Sequence, residues 1–211
     1  MIYIIRHGQT QMNQAFALQG RTDLPLNEMG IRQAEQTGCW FRDHGIRIDK
    51  VYTSPLDRAV KTAQLVIDVS MAPAASDVSG AFIPVLIDDR LIEMDYGPYE
   101  GMNLKHPAPE VLEFFQDFVN HPAPTGMEPL ADVVGRLGTF LEEIREEAAE
   151  RNILISTHAI AMKGALEYLT PDSNGSYWSR NIRNCAVYRA RVIDGRFTVP
   201  EELETEVQKT L

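Results

Sequence analysis

Three short strand-like runs in this chain stop abruptly on polar or basic residues, and a helical pattern follows each: "MIYIIRHG" from Met1, "DKVYTSPLDR" from Asp49 and "NILISTHA" from Asn152. The first and third are apolar with almost no alternation, as a strand must be when both of its faces are covered. Strands of that kind alternating with helices restrict the chain to an α/β architecture, here a three-layer α/β/α sandwich around a mostly parallel central sheet. In such sheets ligands sit beyond the carboxyl ends of the strands. The three strand ends carry Arg6-His7, the stretch Ser54 to Arg58, and Thr157-His158.

The elements between them are legible from caps and periodicity. "LNEMGIRQAEQTGCWFRDHG" offers Asn27 as an N-cap, then Ile31, Ala34, Gly38 and Phe41 at helical spacing, with Gly45 at its end. "SPLDRAVKTAQLVIDV" reads as a helix with Ser54 as cap and Pro55 at its first position. A small-residue connection, "VSMAPAASDVSGA", leads to a third strand within "IPVLIDDRLIEM". A short helix bracketed by prolines, "HPAPEVLEFFQDFVNHPAPTG", lies in a segment at 98–127 that reads as a lid. A long amphipathic helix is expected from Glu128 to Arg151, and another from His158. "NCAVYRARVIDGRFTV" predicts a hairpin turning at Asp194-Gly195, and the acidic tail at 200–211 is expected to be loosely ordered. One domain over 1–211 accounts for the whole pattern.

Composition narrows the function. A net charge of −10 repels a polyphosphate backbone, and the basic residues form no run, so no nucleic-acid partner is expected. No apolar stretch has the length of a membrane span, and a strand beginning at Met1 leaves no room for a secretory leader, so a cytoplasmic protein is expected. Cys39 and Cys185 stand in no ligand or disulfide spacing and read as free thiols; no metal or cofactor is expected. Nothing in the sequence sets the oligomeric state.

If the three strand ends converge, they bring together two guanidiniums, two imidazoles and a helix start, each a good partner for a dianionic phosphoryl group. Surrounding cations lower the proton affinity of an imidazole and leave one ring nitrogen free to attack phosphorus. His7 is the natural nucleophile, and Gly8 beside it lets backbone N–H groups come close to a phosphate. A leaving alkoxide needs a proton, which a carboxylic acid near the phosphoryl group can supply. Glu93, Asp95 and Glu100, in "LIEMDYGPYEG", are the candidates.

The ordered set "RHGQT" with Asn13, "QGRTDLPLNEMG", "SPLDRAVKTA", "LIEMDYGPYEG", "STHA" and "RNC" resembles the histidine phosphatase superfamily, with its phosphoglycerate mutase-like fold, over residues 1 to 190. The resemblance implies a phosphomonoester hydrolase that needs no metal and acts on a small phosphorylated metabolite through phospho-His7. Arg6, Arg58 and His158 would complete the phosphate pocket, and Glu93 would donate the proton and later activate water. Gly8, Asn13, Gln19 and Gly20 would contact the phosphoryl group or substrate, with Asn184 near the rim. Mutase members of this family carry a longer insertion with an arginine pair, whereas no arginine lies between Gly101 and Arg136 here, which favours the phosphatase branch. Met12, Ala159 and "GMEP" depart from the family pattern without removing a reacting group.

Plainer readings stand beside these. Mutase-type transfer and a binding module without turnover are the alternatives to a phosphatase. His44, His106 and His121 show no ligand spacing, "EFFQDF" reads as a packing face, and Cys185 as core; Lys105 and His106 are candidate contacts from the lid.

Overall fold

The computed structural model describes residues 1–72 and 83–205. The first strand, β1 (Ile2–Arg6), is followed by a single helical turn, α1 (Gln11–Gln14), and by α2 (Glu28–Asp43). Next come β2 (Lys50–Thr53), α3 (Asp57–Ser70) and β3 (Val85–Ile87). Then follow α4 (Pro109–Gln116), α5 (Leu130–Glu150), β4 (Ile153–Thr157) and α6 (Ala159–Leu169). The chain closes with β5 (Val187–Ala190), the hairpin β6 (Val192–Ile193) and β7 (Arg196–Phe197), and β8 (Glu201–Leu203).

Six strands form one sheet in the order β3-β2-β4-β1-β5-β8. The strands β1 to β4 run parallel, β5 is antiparallel to β1, and β8 is antiparallel to β5. The unbroken apolar character of β1 has a direct cause. Ile2 and Ile4 pack on one face with α5 and α6 residues such as Phe140, Leu141 and Leu166. Tyr3 and Ile5 pack on the other with Ala34 and Phe41 of α2 and Val66 of α3. Both faces are covered, which is the three-layer arrangement the alternation predicts.

Register does the positioning. Arg6 pairs with Thr157 and Thr53 with Ser156, so His7, His158 and Ser54 leave three adjacent strands at the same level. The His7 N–H donates to Thr157 O at 2.9 Å, and the Ser54 N–H to Ser156 O at 3.0 Å, extending the ladder to these residues.

Three expectations are corrected. Ser54 does not cap the second crossover helix, because α3 begins at Asp57. The first N–H of that helix is satisfied from a distant loop, Asp57 N–H donating to Asp23 Oδ1 at 2.9 Å, which frees Ser54 for another contact. The third strand falls where expected, at Val85–Ile87, after which the chain turns so that Glu93 comes off a loop. The Asp194-Gly195 turn, with both residues at positive φ, joins β6 and β7 as predicted, but β5 is apart from that hairpin and belongs to the main sheet. The tail is partly built into the sheet, with β8 on its edge; residues 206–211 and most of the 69–81 connection lie outside the described residues. The Asn27 cap holds, its side chain accepting from Gly30 N–H at 2.9 Å.

Candidate active site

His7 is almost wholly buried and its tautomer is fixed by its partners. Nδ1 lies 2.7 Å from Gly8 O, and a carbonyl only accepts, so Nδ1 carries the proton. On the far side of the ring the Arg58 Nε–H donates to Nε2 at 3.3 Å, and a guanidinium only donates, so Nε2 presents a lone pair. Burial first, then Arg58 and Arg6, hold this imidazole well below its ordinary proton affinity. Neutral His7 with an available Nε2 is the state the site selects.

Arg58 is fully buried on α3. Its terminal nitrogens donate to Gly20 O at 2.5 Å and Thr22 O at 2.8 Å, which locks the guanidinium against the His7 ring. His158, at the start of α6, lies beside His7 with ring centroids 5.1 Å apart and planes tilted by 60°. Its Nε2 meets Ser54 Oγ at 2.7 Å, the contact that the displaced helix start makes possible. Burial, followed by Arg58, His7, Arg6 and Arg136, pushes His158 well below the ordinary imidazole range. Arg6 donates through Nη1 to Ile182 O at 2.5 Å. Two atoms of this group, Arg6 Nε and His158 Nδ1, are buried without a hydrogen-bond partner. Buried polar atoms are rarely left so, and two beside one histidine point to a polar ligand at that place.

A cavity of about 230 Å³ opens in front of these residues. Of the residues singled out from sequence, Arg6, His7, Asn13, Gln19 and Glu93 line it. Glu93 is buried, and its Oε1 accepts from Met94 and Ala161 N–H at 2.9 Å each, while Oε2 accepts from Ile160 N–H at 3.2 Å. It therefore sits on the amide-rich start of α6, which orients the carboxylate. Its rivals are engaged elsewhere: Asp95 pairs with Arg21 at 3.0 Å, and Glu100 accepts from Gly20 and Thr22 N–H. Asn184 supports His7 from behind, its Nδ2 donating to His7 O at 3.0 Å and to Asn13 Oδ1 at 3.2 Å. Gln19 accepts from Thr10 Oγ1 at 2.6 Å.

The two glycines have another reason for being there. Gly8 donates its N–H to Thr62 Oγ1 at 3.0 Å, and a Cβ on it would stand 2.4 Å from Gly30 O. The absent side chain lets α2 approach the nucleophile loop. Gly20 gives its N–H to Glu100 and its carbonyl to Arg58. Neither residue lines the cavity.

Sequence reasoning passed over Lys163 and Arg180, which line the cavity, and Phe115 and Leu104, which the 98–127 segment contributes to it. Lys163 left a trace: a lone cation in the otherwise apolar "HAIAMKGAL", five residues after His158. Arg180 sits in a loop without periodicity and left none. Lys105 and His106 are exposed and do not line the cavity; Lys105 lies over the Phe16 ring at 4.5 Å. Cys185 is packed in the core, where burial pushes its thiol up to about 12, and Cys39 is also free. Among the described residues no three His, Cys, Asp or Glu side chains form a group able to hold a metal ion, and no helix is long and apolar enough to cross a membrane.

The family model of the histidine phosphatase superfamily, branch 1, matches residues 2–202. The chain belongs to that superfamily. Among relatives of this histidine phosphatase is phosphoserine phosphatase 1 of Hydrogenobacter thermophilus, 28% identical over 88% of this chain and 83% of that protein. The uncharacterized phosphatase PhoE of Bacillus subtilis is 32% identical over 78% of this chain and 75% of its own. Among solved structures, YhfR of Bacillus stearothermophilus superposes with a TM-score of 0.79 at 27% identity, covering 94% of each chain. The mostly parallel sheet flanked by helices is the fold these superfamily members share.

Proposed function

We propose that this protein hydrolyses small phosphomonoesters in two steps through phospho-His7. The observation that carries the reading is the state of His7: Nδ1 protonated against Gly8 O, Nε2 unprotonated beside the Arg58 guanidinium, at the head of a cavity. In the first step Nε2 attacks phosphorus, the P–O bond to the alcohol breaks, and the alkoxide takes a proton from Glu93. In the second, Glu93 removes a proton from water, water attacks phosphorus, and the P–N bond breaks to release phosphate and regenerate neutral His7.

The surroundings suit that sequence. A phosphoryl group on Nε2 occupies the place where the Arg58 Nε–H now donates, and that donor passes to a phosphoryl oxygen. Arg6 Nε supplies a second donor. Ser54 Oγ accepts from Leu56 N–H at 3.3 Å and lies 2.7 Å from His158 Nε2; with the Ser54 proton in that second bond, His158 Nδ1–H is a third donor. Cations that hold both imidazoles neutral also stabilise the charge that builds on the transferring group. A cavity of about 230 Å³ fits a small metabolite rather than a polymer. The phosphatase-named relatives support hydrolysis. The lack of arginine in the 98–127 segment weighs against mutase transfer, which must grip an intermediate away from water.

The test is hydrolysis of p-nitrophenyl phosphate in EDTA, with trapping of an acid-labile phosphoprotein. His7→Ala is expected to lower kcat by at least about a thousandfold and to abolish the trapped species. Turnover that survives this change, or that disappears with the chelator, would sink the mechanism.

A further inference from the structure

The phosphoryl chemistry uses Arg6, His7 and Glu93 of the cavity lining and does not use two further cations of that lining. Lys163 lies on α6, is only 9% exposed, and lines the cavity. Its Nζ donates to Trp178 O at 2.6 Å and sits 5.1 Å from the Phe118 ring centre. An ammonium has three N–H groups, so two are left after the Trp178 bond. No carboxylate forms an ion pair with Lys163 among the described residues. A charge kept that dry without a counter-ion is costly, and the cost is recovered when an anion arrives. The charged groups facing it are Glu93, which favours its charge, and Arg6, which opposes it; burial dominates and brings Lys163 down to about 8. Arg180 lines the same cavity from the exposed loop beyond Trp178, its guanidinium 4.5 Å from the Tyr177 ring centre.

We propose that Lys163 and Arg180 form a second anion subsite, so that the preferred substrate is a small phosphomonoester bearing a carboxylate or another anionic group besides its phosphate. The proposal rests on the phosphatase reading above and deepens it. The 98–127 segment supplies apolar Leu104 and Phe115 to the cavity and no arginine, so the second charge is met from α6 and the loop that follows it. The phosphate and the second anionic group then each meet cations of one lining, with Leu104 and Phe115 as its apolar part.

The experiment compares 3-phosphoglycerate with glycerol 3-phosphate, which differ by a carboxylate in place of a hydroxymethyl group, with p-nitrophenyl phosphate as reference. At pH 7 the wild-type protein is expected to favour 3-phosphoglycerate in kcat/KM by at least about tenfold. Lys163→Met brings that ratio close to one, Arg180→Ala lowers it severalfold, and Lys163→Arg preserves it. As pH rises from 7 to 9.5 the wild-type ratio falls while that of Lys163→Arg holds, because lysine loses its charge above about 8 and arginine does not. A wild-type ratio near one, or a ratio in Arg180→Ala and Lys163→Met equal to wild type, overturns the subsite while leaving aryl phosphate turnover and the phosphatase reading intact. Absence of wild-type turnover on all three esters overturns both. The exposed Arg180 variant and the wild-type comparison keep the test decisive even if Lys163→Met does not fold.

Discussion

The floor and the rim of the cavity are built by different means. The floor is His7, which leaves β1 and lines the cavity, backed by residues that do not line it: His158 after β4, Ser54 after β2 and Arg58 of α3. Each is buried, and each has its orientation set by backbone carbonyls or by another floor residue. The rim comes from the short helix α4, which gives Phe115, and from loops, which give Leu104 and Arg180. On the proposed mechanism the floor holds the part of every substrate that is the same, the phosphoryl group. The rim meets the part that differs.

The predictions set these two regions against each other. Arg58→Met should have the largest effect, lowering kcat/KM for every ester by a hundred- to a thousandfold, or about 2.7–4 kcal/mol, because a preorganised donor is lost. Steady-state kinetics on the aryl and alkyl esters checks it; a loss confined to one ester would put Arg58 among the rim residues. Gly8→Ala should cost about 1–3 kcal/mol of stability, since its Cβ would stand 2.4 Å from Gly30 O and α2 must shift. Thermal unfolding reads this as a fall of about 2–4 °C per kcal/mol, and an unchanged midpoint would show that the loop can yield.

Acid should weaken the floor next. Both imidazoles have folded-state proton affinities well below the ordinary value of 6.5. Below that value the unfolded chain binds more protons than the folded one, so the stabilisation is complete above about pH 6.5 and declines as pH falls. The slope is at most about 1.4 kcal/mol per pH unit for each group. Urea unfolding between pH 7 and 5 should show that decline, shallower in His158→Gln. Lys105→Ala should have the smallest effect. The exposed cation over Phe16 is worth about 0.5–1 kcal/mol, and kcat/KM should stay within about twofold. A larger kinetic loss would bring the 98–127 segment into the substrate contacts after all.

The sequence disclosed the floor more fully than the rim, for a physical reason. A strand buried on both faces must be apolar until it ends, so Arg6-His7 and Thr157-His158 stand out as breaks in a pattern. Helix caps were less legible, because Ser54-Pro55 has the form of a local cap while the N–H it would satisfy is taken by Asp23, 34 residues away. Gly8 and Gly20 were recognisable as needed, yet the need is the approach of α2 to the loop after β1 and a bond to Glu100, both contacts across long stretches of chain. Arg180 carried no signal, since a loop residue has no period to violate. Lys163 did violate one, and its buried place on α6 shows that a single charge in an apolar helix is worth following.

The position of β1 in the middle of the sheet also has a consequence for how the molecule is made. Its two neighbours are β4 and β5, which begin at Ile153 and Val187, so the first strand off the ribosome must wait for some of the last. Pairings of such long sequence separation form late and slowly, because the intervening chain must close before it is rewarded. The first 150 residues already contain His7, Arg58 and Glu93 but lack β4 and β5, the strands that hold the nucleophile in register. Turnover should therefore switch on only once β4 and β5 have been made, and the unpaired edges of β1 are what the growing chain must keep from other partners until then.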